Sequence, residues 1–292
     1  MKQLRSAGWY ALFTGPLLAV FATVVLVPFV IGIGYAFFSW DGLPLNPKVF
    51  VGLDNFARLF ADTRFLASAG YTGVFTILSI TVINVLGLAF ALLVTTKLKV
   101  RNAARAMLFA PYMIGGLILG YVWKFILGDA FKAIGEATGL TGIFFNWLLD
   151  PQMALVGLSI VTTWQMAGYI MIIYITGIQS IPDEVIEAAH VDGAGFFTTL
   201  FRIRFPLIMQ SFTVCLFLSL SYCFKIFDVN LSLTGGGPYN STELFAMNIY
   251  HEIFFLNNYG YGQAKAIVFF VIVAAVTTVQ VSITKKREVE MK

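Results

Sequence analysis

Charged residues are scarce in this chain: of its 292 residues, only 12% are Asp, Glu, Lys or Arg. Soluble domains usually contain about twice that share. Hydrophobic residues make up 59% of the chain, which favours burial in lipid over burial in one water-soluble core. The composition therefore predicts an all-α protein that crosses a membrane several times.

Cysteine and histidine are also rare, with two of each. Cys215 and Cys223 lie eight residues apart in one apolar run, so their backbones in a helix would be about 12 Å apart. That distance is too long for a disulfide, and we expect both to be small buried hydrophobic residues. With only His190 and His251 as imidazole ligands, no metal site is predicted. The basic residues are scattered in short loops, so no nucleic-acid-binding patch is predicted either.

Long apolar runs are what the chain does contain. Each of six runs can cross a bilayer as a helix, which needs about 20 residues. The runs are Leu12–Phe37, Tyr71–Thr96, Ala106–Leu127, Met153–Ile178, Leu207–Leu233 and Ala264–Thr284. We predict one transmembrane domain over residues 1–292, with a core at about 70–285 and a polar insert at 180–206.

The basic residues predict the orientation of these spans. Twelve lie on the side that carries both termini and the insert: Lys2, Arg5, Lys97, Lys99, Arg101, Arg105, Arg202, Arg204, Lys285, Lys286, Arg287 and Lys292. The opposite loops hold four: Lys48, Arg58, Arg64 and Lys132. Because positive charge is enriched on the cytoplasmic side, both termini and the insert are predicted to be cytoplasmic.

The insert is predicted to fold as a helix, a glycine turn at Gly193 and a second helix. Ser180 and Asp183 have the spacing of a capping box. The first helix carries four acidic residues and no Lys or Arg: Asp183, Glu184, Glu187 and Asp192. Such an insert could rest on lipid headgroups, but its acidic helix favours a groove on another protein over an anionic leaflet.

The insert resembles the EAA motif of bacterial ABC importer permeases, in which EAA is followed by three residues, Gly, nine residues and I-x-L-P. The matching residues are Glu187, Ala188, Ala189, Gly193, Ile203 and Pro206, with Phe205 where the family usually has Leu. Four other segments resemble the carbohydrate branch of that family, similar to permeases of maltose, polyol and glycerol-3-phosphate importers. They are Phe50–Phe56 (FVGLDNF), Gln179–Pro182 (QSIP), Phe224–Asp228 (FKIFD) and Leu233–Pro238 (LTGGGP).

The resemblance implies the type I importer permease fold, in the bacterial cytoplasmic membrane. The implied partners are a second, different permease, two ATPase subunits and an extracytoplasmic solute-binding protein, and the implied substrate is a sugar or related carbohydrate. The chain contains no G-x-x-x-x-G-K-[ST] motif, so ATP and Mg²⁺ are expected on the ATPase subunits, and this chain is expected to hold no cofactor and to be no enzyme. The residues expected to couple to the ATPases are Glu187, Ala188, Ala189, Asp192, Gly193 and Pro206.

Polar residues within the runs are candidates for the substrate pathway, because sugar sites combine aromatic rings with amides and hydroxyls. Ordinary helix packing is the alternative for each of Asn84, Trp164, Gln165, Tyr169, Tyr174, Tyr222 and Asn230. Lys225 and Asp228 either line the path or neutralise each other between two spans. Lys124 and Lys265, near predicted span ends, are expected to extend to the membrane surface.

A glycine-rich turn follows the fifth run at Gly235, Gly236, Gly237 and Pro238. On the predicted topology it lies outside the membrane, where the resemblance implies contact with the solute-binding protein. The alternative is a flexible connector.

Two other classes of function fit the sequence less well. A stand-alone secondary transporter would have internal repeats, broken helices in matching halves and carboxylates inside the membrane, and only Asp228 meets the last condition. An intramembrane enzyme would bring a histidine, a nucleophile and a carboxylate together, which no run does.

Overall fold

The computed structural model describes residues 2–96 and 100–288. Lys97, Lys99 and Lys292, which contribute to the predicted charge asymmetry, lie outside the described residues. The α-helices that it describes are α1 Lys2–Phe21, α2 Val27–Tyr35, α3 Asp54–Leu59, α4 Thr63–Thr95, α5 Arg101–Phe109, α6 Gly116–Phe125, α7 Phe131–Thr138, α8 Pro151–Gln179, α9 Asp183–Val191, α10 Phe196–Thr198, α11 Phe205–Leu207, α12 Met209–Phe224, α13 Asp228–Leu233, α14 Phe245–Phe254 and α15 Tyr259–Lys285.

Shorter elements connect some of these helices. Two strands, β1 Phe38–Ser39 and β2 Val49–Phe50, pair antiparallel with Phe38 opposite Phe50. Segments of π-helix and 3-10 helix continue or join the α-helices at Ala22–Leu26, Ala110–Met113, Ile126–Ala130, Trp147–Leu149 and Thr199–Arg204. The prediction of an all-α membrane protein is confirmed, since the only sheet among the described residues is this short hairpin.

Four of the described helices are long and apolar enough to cross a membrane unbroken: Leu12–Tyr35, Thr63–Thr95, Pro151–Gln179 and Tyr259–Lys285. Two bent helix pairs bring the number of candidate spans to six if each pair counts as one span. The first pair, Arg101–Met113 and Gly116–Thr138, meets at 96°, and the second, Phe196–Leu207 and Met209–Phe224, meets at 75°.

The third and fifth of the six predicted runs are interrupted helices, although each belongs to a bent pair that can count as one span. The third run breaks at Ile114 and Gly115, whose backbones are extended, just after a 3-10 turn that contains Pro111. Proline has no N–H for the helical ladder, which explains why α5 does not continue there. The fifth run breaks after Phe224, and a new helix begins at Asp228.

The chain forms two compact units. One comprises the residues up to Thr63 with Ile249–Phe270, and the other comprises Arg64–Asn248 with the residues from Val271 onward. The second unit contains the bent pairs and the insert.

The first unit is held together by buried polar contacts. Asn55, which is 3% exposed, donates from its amide to the carbonyls of Ala36 (2.8 Å) and Phe38 (3.0 Å). Asn55 belongs to the FVGLDNF segment, so that segment fixes the hairpin to the end of α2. Such contacts satisfy carbonyls that neither helix nor sheet would bind.

Lys265 of the first unit is fully buried, so the prediction that it extends to the membrane surface is wrong. Its Nζ lies 2.6 Å from Glu252 Oε2 and 2.9 Å from Asp62 Oδ2, and 4.7 Å from the centre of the Tyr261 ring. We call these four residues the Lys265 cluster. Two carboxylates within reach allow the ammonium to stay buried instead of extending to water. Lys124, by contrast, is exposed near the end of α6.

The second unit packs its apolar core around α4, α8 and α12, with Phe75, Leu158 and Ile170 among the fully buried side chains. A buried hydrogen-bond chain joins the same three helices. Tyr174 Oη donates to Asn84 Oδ1 (2.9 Å), and Asn84 Nδ2 donates to Ser219 Oγ (3.0 Å). The candidates Asn84 and Tyr174 thus serve helix packing.

Helices α6 and α13 approach closely through small residues. A β-carbon on Gly120 would overlap the Ser232 hydroxyl, and one on Gly116 would press on Asp228. Small residues commonly permit such approach between membrane helices. The contact fixes the position of α13 and with it the break that precedes it.

Candidate functional site

A polar cavity of about 520 Å³ lies in the second unit, beside the break between α12 and α13. Helix α8, the bend after α5, and the residues around the break all contribute to its wall. The polar side chains that line it are Tyr112, Gln165, Tyr169, Ser221, Tyr222, Lys225 and Asp228. Polar linings are unusual between membrane helices, where unpaired polar groups are costly.

Hydrogen bonds fix the middle of this lining. Gln165, 6% exposed, accepts from the Tyr222 hydroxyl at 2.7 Å and donates to the Ile114 carbonyl at 3.0 Å. The second bond satisfies a carbonyl that the bend removes from the helical ladder. Gln165 therefore connects α8 to α12 and to the bend.

Two tyrosines form another part of the wall. The rings of Tyr112 and Tyr169 are stacked, with centres 4.4 Å apart and planes inclined by 8°. Their hydroxyls and ring edges add hydrogen-bonding and apolar surface to the same cavity.

Lys225 and Asp228 are both exposed in the cavity wall. Within the described residues they form no ion pair with each other or with any other side chain. The interpretation as a mutually neutralised pair between spans assumed a continuous helix, and the helix ends at Phe224. One charge of each sign is therefore available to a solute, which the cavity can meet with donors and acceptors together.

Five of the predicted pathway residues meet in this cavity, namely Gln165, Tyr169, Tyr222, Lys225 and Asp228. Trp164 does not: it packs edge-to-face on Trp123 and borders a separate apolar cavity of about 420 Å³. Asn230 does not either, because it is fully buried and donates to the Thr242 carbonyl at 2.9 Å.

Tyr112 and Ser221 were not predicted. Tyr112 enters the cavity only because the helix bends just beyond it, and that bend was not predicted. Its position after Pro111 was the available signal.

The glycine-rich turn is fixed rather than loose. Gly235 and Gly236 have φ of 60° and 87°, values that favour glycine. Thr242 Oγ1 donates to the Gly237 carbonyl at 2.7 Å, and the Thr242 N–H donates to the Gly236 carbonyl at 3.2 Å. This argues against the flexible connector, and contact of Gly235, Gly236, Gly237 and Pro238 with another protein stays a prediction.

The insert has the predicted order of helix, glycine turn and helix, with Gly193 at φ 77°. Glu187, Ala188 and Asp192 are exposed on or beside α9, and Ala189 is buried. Pro206 lies in α11, half-buried.

The predicted capping box at the start of the insert is wrong. Pro182 precedes α9 with no side-chain cap, and Ser180 Oγ donates back to the Gly177 carbonyl at 2.8 Å. Ser180 therefore closes α8 instead of opening α9, because the carbonyls at the end of α8 lack helical partners.

Within the described residues, the four carboxylates of the insert make no ion pair. Residues 2–96 and 100–288 contain no group of three His, Cys, Asp or Glu that could hold a metal ion.

Comparison with known proteins gives one family. Residues 83–289 match the family model described as binding-protein-dependent transport system inner membrane component. The chain is 46% identical to the probable starch degradation products transport system permease protein of Thermoanaerobacterium thermosulfurigenes, covering 99% of this chain and 98% of that one. It is 32% identical to the multiple sugar-binding transport system permease protein of Streptococcus mutans, covering 97% and 96%.

A solved structure has the same fold. It is the crystal structure of a bacterial ABC transporter involved in the import of the acidic polysaccharide alginate, with a TM-score of 0.83 at 21% identity. The match covers 98% of this chain and 99% of that chain.

Proposed function

The chain belongs to the family of binding-protein-dependent transport system inner membrane components, and we propose that it forms half of the translocation pathway of an ABC importer for a neutral carbohydrate. The observation that carries this proposal is the cavity at the α12–α13 break. It places aromatic rings, an amide, hydroxyls and one charge of each sign along one wall. Carbohydrates need apolar ring contact and paired hydrogen bonds at once.

The balance of charge supports a neutral substrate. Lys225 and Asp228 cancel, so the wall offers no net attraction to an anion. The relatives at 46% and 32% identity are named for starch degradation products and multiple sugars. We infer that short oligosaccharides of neutral sugars are the substrate class.

The two bent helix pairs do not favour a stand-alone secondary transporter, although broken helices are typical of that class. Both bends lie within residues 83–289, the range of the family match. They are therefore compatible with an importer permease.

The insert is proposed to dock on an ATPase subunit, through Glu187, Ala188, Ala189, Asp192, Gly193 and Pro206. Its exposed carboxylates, without ion-pair partners among the described residues, support a protein groove with basic residues. A rigid helix held in such a groove would transmit the closure of two ATPase subunits to the spans. ATP and Mg²⁺ would bind to those subunits, and this chain would need no cofactor.

The remaining partners follow from the same assembly. A second, different permease would complete the pathway, and an extracytoplasmic solute-binding protein would contact the turn at Gly235–Pro238. Both termini would then lie in the cytoplasm of the bacterial cell membrane, as the basic residues indicate.

Reconstitution of the importer tests the proposal. The chain is co-expressed with its neighbouring permease, ATPase and solute-binding protein, and the complex is placed in proteoliposomes. Uptake of labelled neutral oligosaccharides that requires both ATP and the binding protein is the expected result. Uptake driven by an ion gradient without ATP would refute the proposal.

Gly193 tests the coupling role. Gly193→Asp adds a negative charge beside the acidic helix, at a backbone φ of 77° that Asp and Asn both tolerate better than other side chains do. Gly193→Asn is the matched control, since it has nearly the same shape and backbone preference but no charge. We expect the Asp variant to lose ATPase binding or to hydrolyse ATP without uptake. Normal co-purification with parental uptake would contradict the role.

A further inference from the structure

The insert has two chemically different parts. Helix α9 carries the exposed carboxylates described above. The helical segment Phe196–Leu207 carries no acidic residue and contains Arg202 and Arg204. The two parts are therefore suited to different neighbours.

Three phenylalanines form an exposed patch at the start of the second part. Phe196, Phe197 and Phe201 are 61%, 72% and 61% exposed, and we call them the aromatic patch. The rings of Phe197 and Phe201 lie nearly parallel with centres 6.5 Å apart, and Phe196 meets Phe197 edge-on at 5.4 Å. Leu200 and Thr199 of the same segment are buried, so one side faces the protein and the other does not.

The bend sets the direction of this segment. Phe196–Leu207 makes an angle of 75° with Met209–Phe224, which belongs to a candidate span. If that helix crosses the bilayer, a segment at 75° to it runs almost parallel to the membrane surface. Because the segment joins the start of that helix at Ile208, the aromatic patch and both arginines then lie within reach of the lipid headgroups.

We propose that the aromatic patch is an anchor in the lipid headgroup region, with Arg202 and Arg204 bound to lipid phosphates. Aromatic rings beside arginines on a surface-parallel helix match the chemistry of the interface, where rings bury their apolar part and guanidinium groups meet anionic phosphates. An ATPase groove is the less suitable occupant, because the acidic α9 offers the charge that such a groove would bind. The anchor would make coupling depend on anionic lipid, which goes beyond the proposed transport function.

The position of the patch can be measured in the assembled importer. A fluorescent label is attached to Phe197→Cys or, as the control on α9, to Val191→Cys, where the native residue is 87% exposed. The native Cys215 and Cys223 are buried. The complex is placed in nanodiscs of phosphatidylcholine and phosphatidylglycerol that contain a headgroup spin label, and iodide serves as the aqueous quencher.

Stronger lipid quenching at 197 than at 191, by about twofold or more, is the expected result. Quenching at 197 by neither reagent would place the patch in a protein groove and overturn the proposal. Quenching by iodide alone would place it in water and overturn the proposal as well.

A second measurement keeps the test independent of labelling. ATP hydrolysis stimulated by the solute-binding protein is compared in nanodiscs with and without phosphatidylglycerol. We expect the parent to lose activity without the anionic lipid and the Arg202→Gln/Arg204→Gln variant to lose most of that dependence, while the exposed control Lys132→Gln behaves as the parent. A double variant with the parent's lipid dependence, or a parent with none, would contradict the anchor.

Discussion

Lys265 and Lys225 both interrupt apolar sequence, yet the structure surrounds them differently. Lys265 is fully buried and lies within 2.9 Å of two carboxylates. Lys225 is exposed in a cavity wall, with no ion-pair partner among the described side chains. Lys225 has one carboxylate, that of Asp228, in the same cavity lining. The two lysines therefore differ in whether an ion pair is formed.

The comparison distinguishes charges that form buried ion pairs within the fold from charges that are exposed in a cavity and available to a ligand. A buried ion pair contributes little net stability relative to apolar packing, but removal of one partner leaves an uncompensated charge. An exposed charge in a cavity costs the fold little and can exchange water for a solute. We therefore expect the Lys265 cluster to affect stability and the α12–α13 break to affect transport.

The largest expected effect is on stability. Lys265→Met removes the cation that Asp62 and Glu252 share, and should lower the free energy of unfolding by about 3–5 kcal/mol. The matched change Lys225→Met should leave it unchanged within about 0.5 kcal/mol, since that side chain is exposed. Thermal unfolding of the two purified variants gives the measurement. Equal melting temperatures would remove the distinction between the two lysines.

The sequence predicted the spans well and the surroundings of their charges poorly. Hydropathy identifies Thr63–Thr95 or Pro151–Gln179 because a bilayer requires a long apolar helix. It does not show that Lys265 would meet Glu252, which lies 13 residues earlier on the preceding helix, or Asp62, which is far away along the chain. Contacts of that kind depend on the tertiary fold.

The residues of the candidate site could likewise be predicted only in part from the sequence. Trp164 and Gln165 are adjacent on α8, but neighbouring residues on a helix point about 100° apart. Only Gln165 reaches the polar cavity, and sequence alone does not tell which side of α8 faces it. Residue type identified the candidates, and the helix orientation selected among them.

A second test concerns uptake. Tyr222→Ala removes a ring from the cavity wall and the hydroxyl that donates a hydrogen bond to Gln165. We expect uptake to fall by about 10–100-fold. Tyr222→Phe keeps the ring and should lose about tenfold or less. Initial rates in proteoliposomes at a fixed level of complex measure both. Parental rates in the Ala variant would show that the cavity is not on the path.

A third test compares two carboxylates directly. Asp228→Asn should reduce uptake several-fold with an unchanged melting temperature, because Asp228 is exposed in the wall. Glu252→Gln should instead lower the melting temperature, because Glu252 contacts the buried Lys265 at 2.6 Å. The opposite pattern, with Asp228 affecting folding and Glu252 affecting uptake alone, would reverse the assignment of the two regions.

The smallest expected effect on uptake is at Trp164, and it tests where the polar cavity ends. Its ring packs on Trp123 with centres 5.6 Å apart and borders the apolar cavity rather than the polar one. Trp164→Ala should therefore change uptake by less than about twofold, although it removes a large apolar side chain and should lower the melting temperature. Gln165→Ala, one residue away, is the control, since it takes from Tyr222 its acceptor in the polar cavity. If the loss of uptake is greater for Trp164→Ala than for Gln165→Ala, the substrate passes on the apolar side of α8, and the unpaired charges at the break have another role.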